Sequence, residues 1–74
     1  MEYDYSKLLG RIKEICGGQL EFSKRMGLSE RTVSLKLNNK IPWKQPEMEK
    51  AAQVLQFPIS EIQIYFFALK VQSA

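Results

Sequence analysis

The chain has 74 residues, 45% of them hydrophobic, and a net charge of +3. This length allows one small domain over residues 1–74 with a modest core, and the hydrophobic content excludes a disordered chain. A single cysteine, Cys16, excludes an internal disulfide and is typical of a reducing cytoplasm, where we expect the protein. The most apolar run, residues 62–71, is too short to cross a bilayer, so we expect no membrane association.

The residue types needed for most enzyme sites are missing. The chain contains no histidine, and Asp4 is its only aspartate. Histidine-dependent catalytic triads and histidine-bearing zinc sites are therefore excluded. We expect no catalytic residues, no metal and no cofactor, and hence a binding protein rather than an enzyme.

Two helices are predicted in the first third of the chain. Apolar residues recur at helical spacing up to Cys16, and Gly17 then ends the first helix because glycine readily takes the left-handed conformation. A second, short helix is predicted over residues 19–26. Gly27 ends it for the same reason.

Three more helices are predicted after Gly27. Ser29 can cap a third helix over about residues 30–38. Pro46 is well placed in the first turn of a fourth, where its missing N–H costs nothing. The sequence SEIQ at 60–63 is typical of a capping box that opens a fifth. With no strand indicated, these elements predict an all-α, compact five-helix fold.

Positive charge is concentrated in the middle of the chain. Between Lys24 and Lys44 there are six cations and one anion, Glu30, so this window carries +5 while the rest of the chain carries −2. The clustering alone leaves two interpretations open. It can be a solvated face, or it can bind a polyanion.

Residues 19–40, QLEFSKRMGLSERTVSLKLNNK, resemble the DNA-binding unit of phage Cro/CI-type repressors. That pattern begins with a glutamine, followed by a small residue one helical turn later and a glycine in the turn. A β-branched residue lies six positions after the glycine, and an Asn-Gly or Asn-Lys pair ends the unit. Here the matching residues are Gln19, Ser23, Gly27, Val33, Asn38, Asn39 and Lys40. The resemblance implies a lambda-repressor-like helix-turn-helix whose third helix enters the major groove of double-stranded DNA.

The resemblance also implies which residues contact DNA. Arg31 is expected to make a bidentate contact with guanine, whereas Glu30 either accepts from cytosine or merely favours the helix dipole. Leu35 departs from the family pattern and either touches a thymine methyl or packs toward the following loop. For Trp43 we favour a core position over stacking near the DNA backbone. The expected DNA-binding set is Gln19, Ser29, Glu30, Arg31, Thr32, Ser34, Leu35, Asn38, Lys40 and Lys44.

The apolar residues after Ser60 are too numerous for one face of a helix. Some of them can complete the core, and we expect the excess to form a homodimer through Tyr65, Phe66 and Phe67. The favoured function is a sequence-specific repressor that occupies operator DNA. The alternative is a protein-interaction module of the antirepressor type, which keeps this fold but binds another repressor.

Overall fold

The computed structural model describes residues 2–71, which form five α-helices. In chain order these are α1 (Ser6–Cys16), α2 (Gln19–Met26), α3 (Glu30–Leu37), α4 (Gln45–Val54) and α5 (Ile62–Phe66), with a 3₁₀ turn at Ile59–Glu61 before α5. The β-type pairing in this part of the chain is an isolated bridge between Tyr3 and Leu69. The predicted all-α, five-helix fold is confirmed. No helix within residues 2–71 is long and apolar enough to span a membrane.

The turns around α2 and α3 form as local chemistry predicts. Gly17 and Gly27 have φ angles of 83° and 72°, the left-handed conformation that ends α1 and α2. Ser29 then caps α3, because its hydroxyl oxygen accepts a hydrogen bond from the Thr32 amide at 3.1 Å. These residues produce the sharp break between α2 and α3.

Helix α2 lies at the centre of the packing and contacts α1, α3 and α4, while α5 packs against α1 and α4. Ser23 faces into this arrangement and is buried, its hydroxyl donating to the Leu20 carbonyl at 2.7 Å. A small side chain is needed there because α3 packs against α2. The buried core consists of Tyr5, Leu8, Ile12, Phe22, Met26, Val33, Leu37, Trp43, Ala51, Ala52, Leu55, Phe57 and Phe66. Trp43 is thus a core residue, as favoured from the sequence.

The predicted capping box at Ser60 is wrong. Ser60 is exposed and lies inside the 3₁₀ turn, and no side chain caps either that turn or α5. The carbonyl of Pro58 accepts the Glu61 amide at 2.9 Å, so the chain winds tightly before the α-helix begins at Ile62. A backbone hydrogen bond of the 3₁₀ turn is therefore found where a side-chain cap was expected.

The three aromatic residues predicted to form a dimer interface have different environments. Phe66 is 1% exposed and packs edge-on against Trp43 with ring centroids 5.2 Å apart, so its assignment to an interface is wrong. Tyr65 is half-buried and stacks on Phe57 at 4.1 Å. Phe67 is 45% exposed. Phe66, the last residue of α5, faces inward, whereas Phe67 follows the helix in a non-helical conformation and faces outward.

Candidate interaction surface on α2 and α3

A shallow groove runs between the start of α2 and the outer face of α3. It is lined by Gln19, Glu30, Arg31, Ser34 and Leu35. Glu30 and Arg31 are exposed, and the other three are half-buried. The structure therefore brings five of the ten predicted DNA-binding residues together in one concave surface.

The predicted lysines lie elsewhere. Lys40 is exposed in the loop between α3 and α4, where it lines a different pocket together with Tyr3 and other residues of the N-terminal segment. Lys44 is exposed just before α4, and its amide donates to the Glu47 carboxylate at 2.9 Å. Neither lysine lines the groove that contains Arg31.

Several polar side chains predicted to contact DNA are already bonded within the protein. The Ser29 hydroxyl, besides capping α3, donates to the Thr32 hydroxyl oxygen at 2.8 Å. The Asn38 side-chain amide donates to the Ser34 carbonyl at 2.7 Å and lies 3.4 Å from the Ser34 hydroxyl. Contacts from these groups to base edges would have to replace or share those bonds. They are therefore poorer candidates for base recognition than Gln19 or Arg31.

Part of the positive charge between Lys24 and Lys44 is neutralised by ion pairs inside the protein. Lys36 is 3% exposed and its Nζ lies 2.7 Å from a Glu47 carboxylate oxygen. Arg25 pairs with Glu21 one helical turn away at 3.0 Å. Four cations of this window are exposed and form no ion pair within residues 2–71: Lys24, Arg31, Lys40 and Lys44. The surface is less basic than the sequence suggested.

The buried Lys36 joins α3 to the following loop and to α4. Its Nζ donates to the Pro42 carbonyl at 2.8 Å and lies 5.6 Å from the centre of the Trp43 ring, a cation–π distance. Burial alone would raise the pKa of Glu47, but hydrogen bonds from Lys36 and from the Lys44 amide together hold that pKa below its ordinary value. Glu47 is therefore ionised at neutral pH, and its contact with Lys36 holds the loop from one side.

Lys36 is one of the six cations between Lys24 and Lys44, and its buried ion pair was not predicted from the sequence. A signal was present, because Lys36 follows Val33 by three positions and residues so spaced lie on the same face of a helix. Val33 is fully buried. A lysine on a buried face needs an acid, and Glu47 supplies it from the next helix.

Two comparisons with known proteins give matches. A family model described as "Protein of unknown function (DUF739)" matches residues 1–69. The solution structure of the modulator of repression (MOR) of the temperate bacteriophage TP901-1 from Lactococcus lactis is 57% identical, with a TM-score of 0.81 and 97% of each chain covered. No curated protein matches. These findings support a phage regulator but not the predicted assignment to Cro/CI-type repressors. The chain therefore belongs to the DUF739 family and is similar, over nearly its whole length, to a phage modulator of repression.

Proposed function

We propose that this protein modulates phage repression by binding a repressor protein. The observation that carries the proposal is the 57% identity, over 97% of each chain, to a modulator of repression. A modulator acts on repression that another protein exerts, so the repressor itself is the most direct partner. This is the antirepressor-type alternative of the sequence analysis, and the similarity supports it better than direct operator binding. The function proposed is binding, without catalysis.

The groove between α2 and α3 is the surface we assign to the repressor. Glu30 and Arg31 present opposite charges there beside the apolar side chain of Leu35. A carboxylate in this position repels DNA phosphates, whereas a protein surface can offer a partner to each charge and an apolar contact to the leucine. The mixed character of the groove therefore favours a protein partner over a polyanion.

Direct DNA binding is the second candidate, because α2 and α3 meet at a helix-turn-helix break and Arg31 is exposed in the first turn of α3. In that case Arg31→Ala should cost about 1–3 kcal/mol on the preferred site and relax specificity at one base pair of each half-site. Lys40→Ala should instead weaken binding to all sequences about equally. With six or more phosphate contacts from a dimer, affinity should fall on the order of a thousandfold between about 50 and 200 mM salt.

The test is a pair of titrations with labelled protein. One uses purified repressor from the genome that encodes this chain, and the other uses random-sequence duplex DNA, each at low and at physiological salt. We expect a saturable complex with the repressor and no comparable affinity for the duplex. Salt-sensitive binding to duplex without a repressor complex would overturn the proposal.

Variants then test the groove. Arg31→Ala and Leu35→Ala should each weaken the repressor complex about tenfold or more, as expected of central interface residues. The control is Lys7→Ala, which removes an exposed cation of α1 that lines a different pocket with Tyr65. It should change affinity less than twofold. Equal effects of all three variants would place the contact outside the groove.

A further inference from the structure

Asn39, two residues after the end of α3, bonds the N-terminal segment as a neighbouring β-strand would. Its side-chain oxygen accepts a hydrogen bond from the Tyr3 amide at 3.0 Å, and its side-chain nitrogen donates to the Tyr3 carbonyl at 3.0 Å. The φ angle of Asn39 is 61°, a left-handed conformation that asparagine tolerates better than most residues. One side-chain amide thus satisfies both backbone groups of a residue 36 positions away.

The other edge of the same segment pairs with residues near the end of the described chain. The Asp4 amide donates to the Ala68 carbonyl at 2.6 Å, and the Lys70 amide donates to the Glu2 carbonyl at 3.1 Å. Lys70 also forms an ion pair with Glu2 at 3.0 Å. Successive backbone groups of an extended chain point to opposite sides. Residues 2–4 therefore lie between the Asn39 amide and residues 68–70.

This arrangement sits against the loop between α3 and α4. A pocket of about 310 Å³ separates the N-terminal segment from that loop and is lined by Glu2, Tyr3, Tyr5, Asn39, Lys40, Ile41, Pro42 and Trp43. Phe67 covers Tyr3 edge-on, with ring centroids 6.0 Å apart. Trp43, the only tryptophan, is 7% exposed and reports on the pocket wall.

We propose that residues 2–4, residues 68–70 and the Asn39 side chain form one cooperative strap, through which both ends of the described chain hold the α3–α4 loop in place. A two-stranded pairing this short is not stable by itself in water. The hydrogen bonds of residues 2–4 to Asn39 therefore depend on those to residues 68–70, and loss of either set breaks the other. Opening the strap frees the loop at Asn39 while the Lys36–Pro42 hydrogen bond still holds its far end. This inference does not depend on the identity of the partner.

The first test removes the Asn39 amide without disturbing the backbone. Asn39→Gly keeps the left-handed conformation, and Gln56→Gly is the matched control. Asn39 and Gln56 are the two non-glycine residues with positive φ within residues 2–71, and no hydrogen bond of the Gln56 side chain is found there. Asn39→Gly should raise hydrogen exchange of the Asp4 and Lys70 amides about thirtyfold, the effect expected when two hydrogen bonds of ordinary net strength are lost. Gln56→Gly should change these rates less than twofold.

The second test breaks the strap from the opposite side. Lys70→Pro removes the backbone donor to Glu2, and Lys70→Met removes only the ion pair. The proline variant should accelerate exchange of the Tyr3 amide, whose partner Asn39 is intact, by about tenfold and shift the indole resonance of Trp43. The methionine variant should leave both nearly unchanged. The inference is overturned if Asn39→Gly changes only the Tyr3 amide, or if Lys70→Pro leaves the Tyr3 amide unchanged. It is also overturned if these amides are unprotected in the native protein.

Discussion

Replacing Lys36 by methionine should destabilise the protein far more than replacing any exposed cation would. Methionine retains most of the unbranched side chain, one atom shorter, but removes the charge that lies 2.7 Å from Glu47 and the donor that bonds the Pro42 carbonyl. Breaking a buried ion pair typically costs about 3–5 kcal/mol, because the remaining charge is left without compensation. The Glu47 side chain is 18% exposed and keeps its bond to the Lys44 amide, so we expect about 2–3 kcal/mol.

This loss is large for so small a protein. At about 0.05–0.15 kcal/mol per residue, a chain of 74 residues has a free energy of unfolding of about 4–11 kcal/mol. The Lys36→Met variant should therefore lose roughly a quarter or more of its stability, and its melting temperature should fall by about 10–20 °C. Urea unfolding followed by circular dichroism measures the change in free energy directly.

Two variants separate the proposed cause from a general loss of packing. In Lys36→Met/Glu47→Gln both charges are gone while glutamine can still accept from the Lys44 amide, so most of the stability should return. In Arg25→Met the broken pair is exposed, and the cost should stay below about 1 kcal/mol. A Lys36→Met variant no less stable than Arg25→Met, or a double variant that recovers nothing, would refute the reasoning.

Three further outcomes are expected. Because the pKa of Glu47 is lowered in the folded protein, its contribution to stability is present above its unfolded pKa and is lost as the pH falls through the folded value. Below about pH 4.5 the free energy of unfolding should therefore fall less steeply with pH in Glu47→Gln than in the native chain, as measured by fluorescence of the single tryptophan. Gly10→Ala should stabilise the protein by up to about 1 kcal/mol, because alanine favours the helix interior and nothing lies within 4 Å of the added carbon. Gly27→Ala should destabilise it by about 1 kcal/mol or more because of the positive φ, so the two variants should shift the melting temperature in opposite directions. Phe66→Ala should lower the free energy of unfolding by about 3–5 kcal/mol, whereas Phe67→Asp should stay folded. Sedimentation of Phe67→Asp tests the predicted homodimer: unchanged self-association would mean that the interface lies elsewhere.

The candidate site was only partly predictable. Sequence reasoning placed Gln19, Glu30, Arg31, Ser34 and Leu35 on one surface, and the structure brings them together in one groove. It did not anticipate that Asn38 would bond to its own helix. The favoured function was operator binding, and similarity to a phage modulator of repression supports the alternative instead. The same fold can serve either partner, and the choice depends on the chemistry of the exposed face.

The sequence by itself determined the features that act over a few residues. The left-handed turns at Gly17 and Gly27, the cap at Ser29 and the bounds of α2 follow from steric limits and hydrogen bonds between near neighbours. These local rules are enough to specify the ends of α1 and α2, the start of α3 and the break between α2 and α3.

Only the tertiary structure decided which side chains meet across the chain. The burial of Lys36 depends on an acid eleven residues away on α4, and the role of Asn39 depends on a backbone 36 residues before it. Likewise, Phe66 is core and Phe67 is surface because of the rotation at which α5 packs on α1 and α4. Such contacts are set by how the helices pack against one another, which hydrophobic periodicity constrains only to a broad face of each helix.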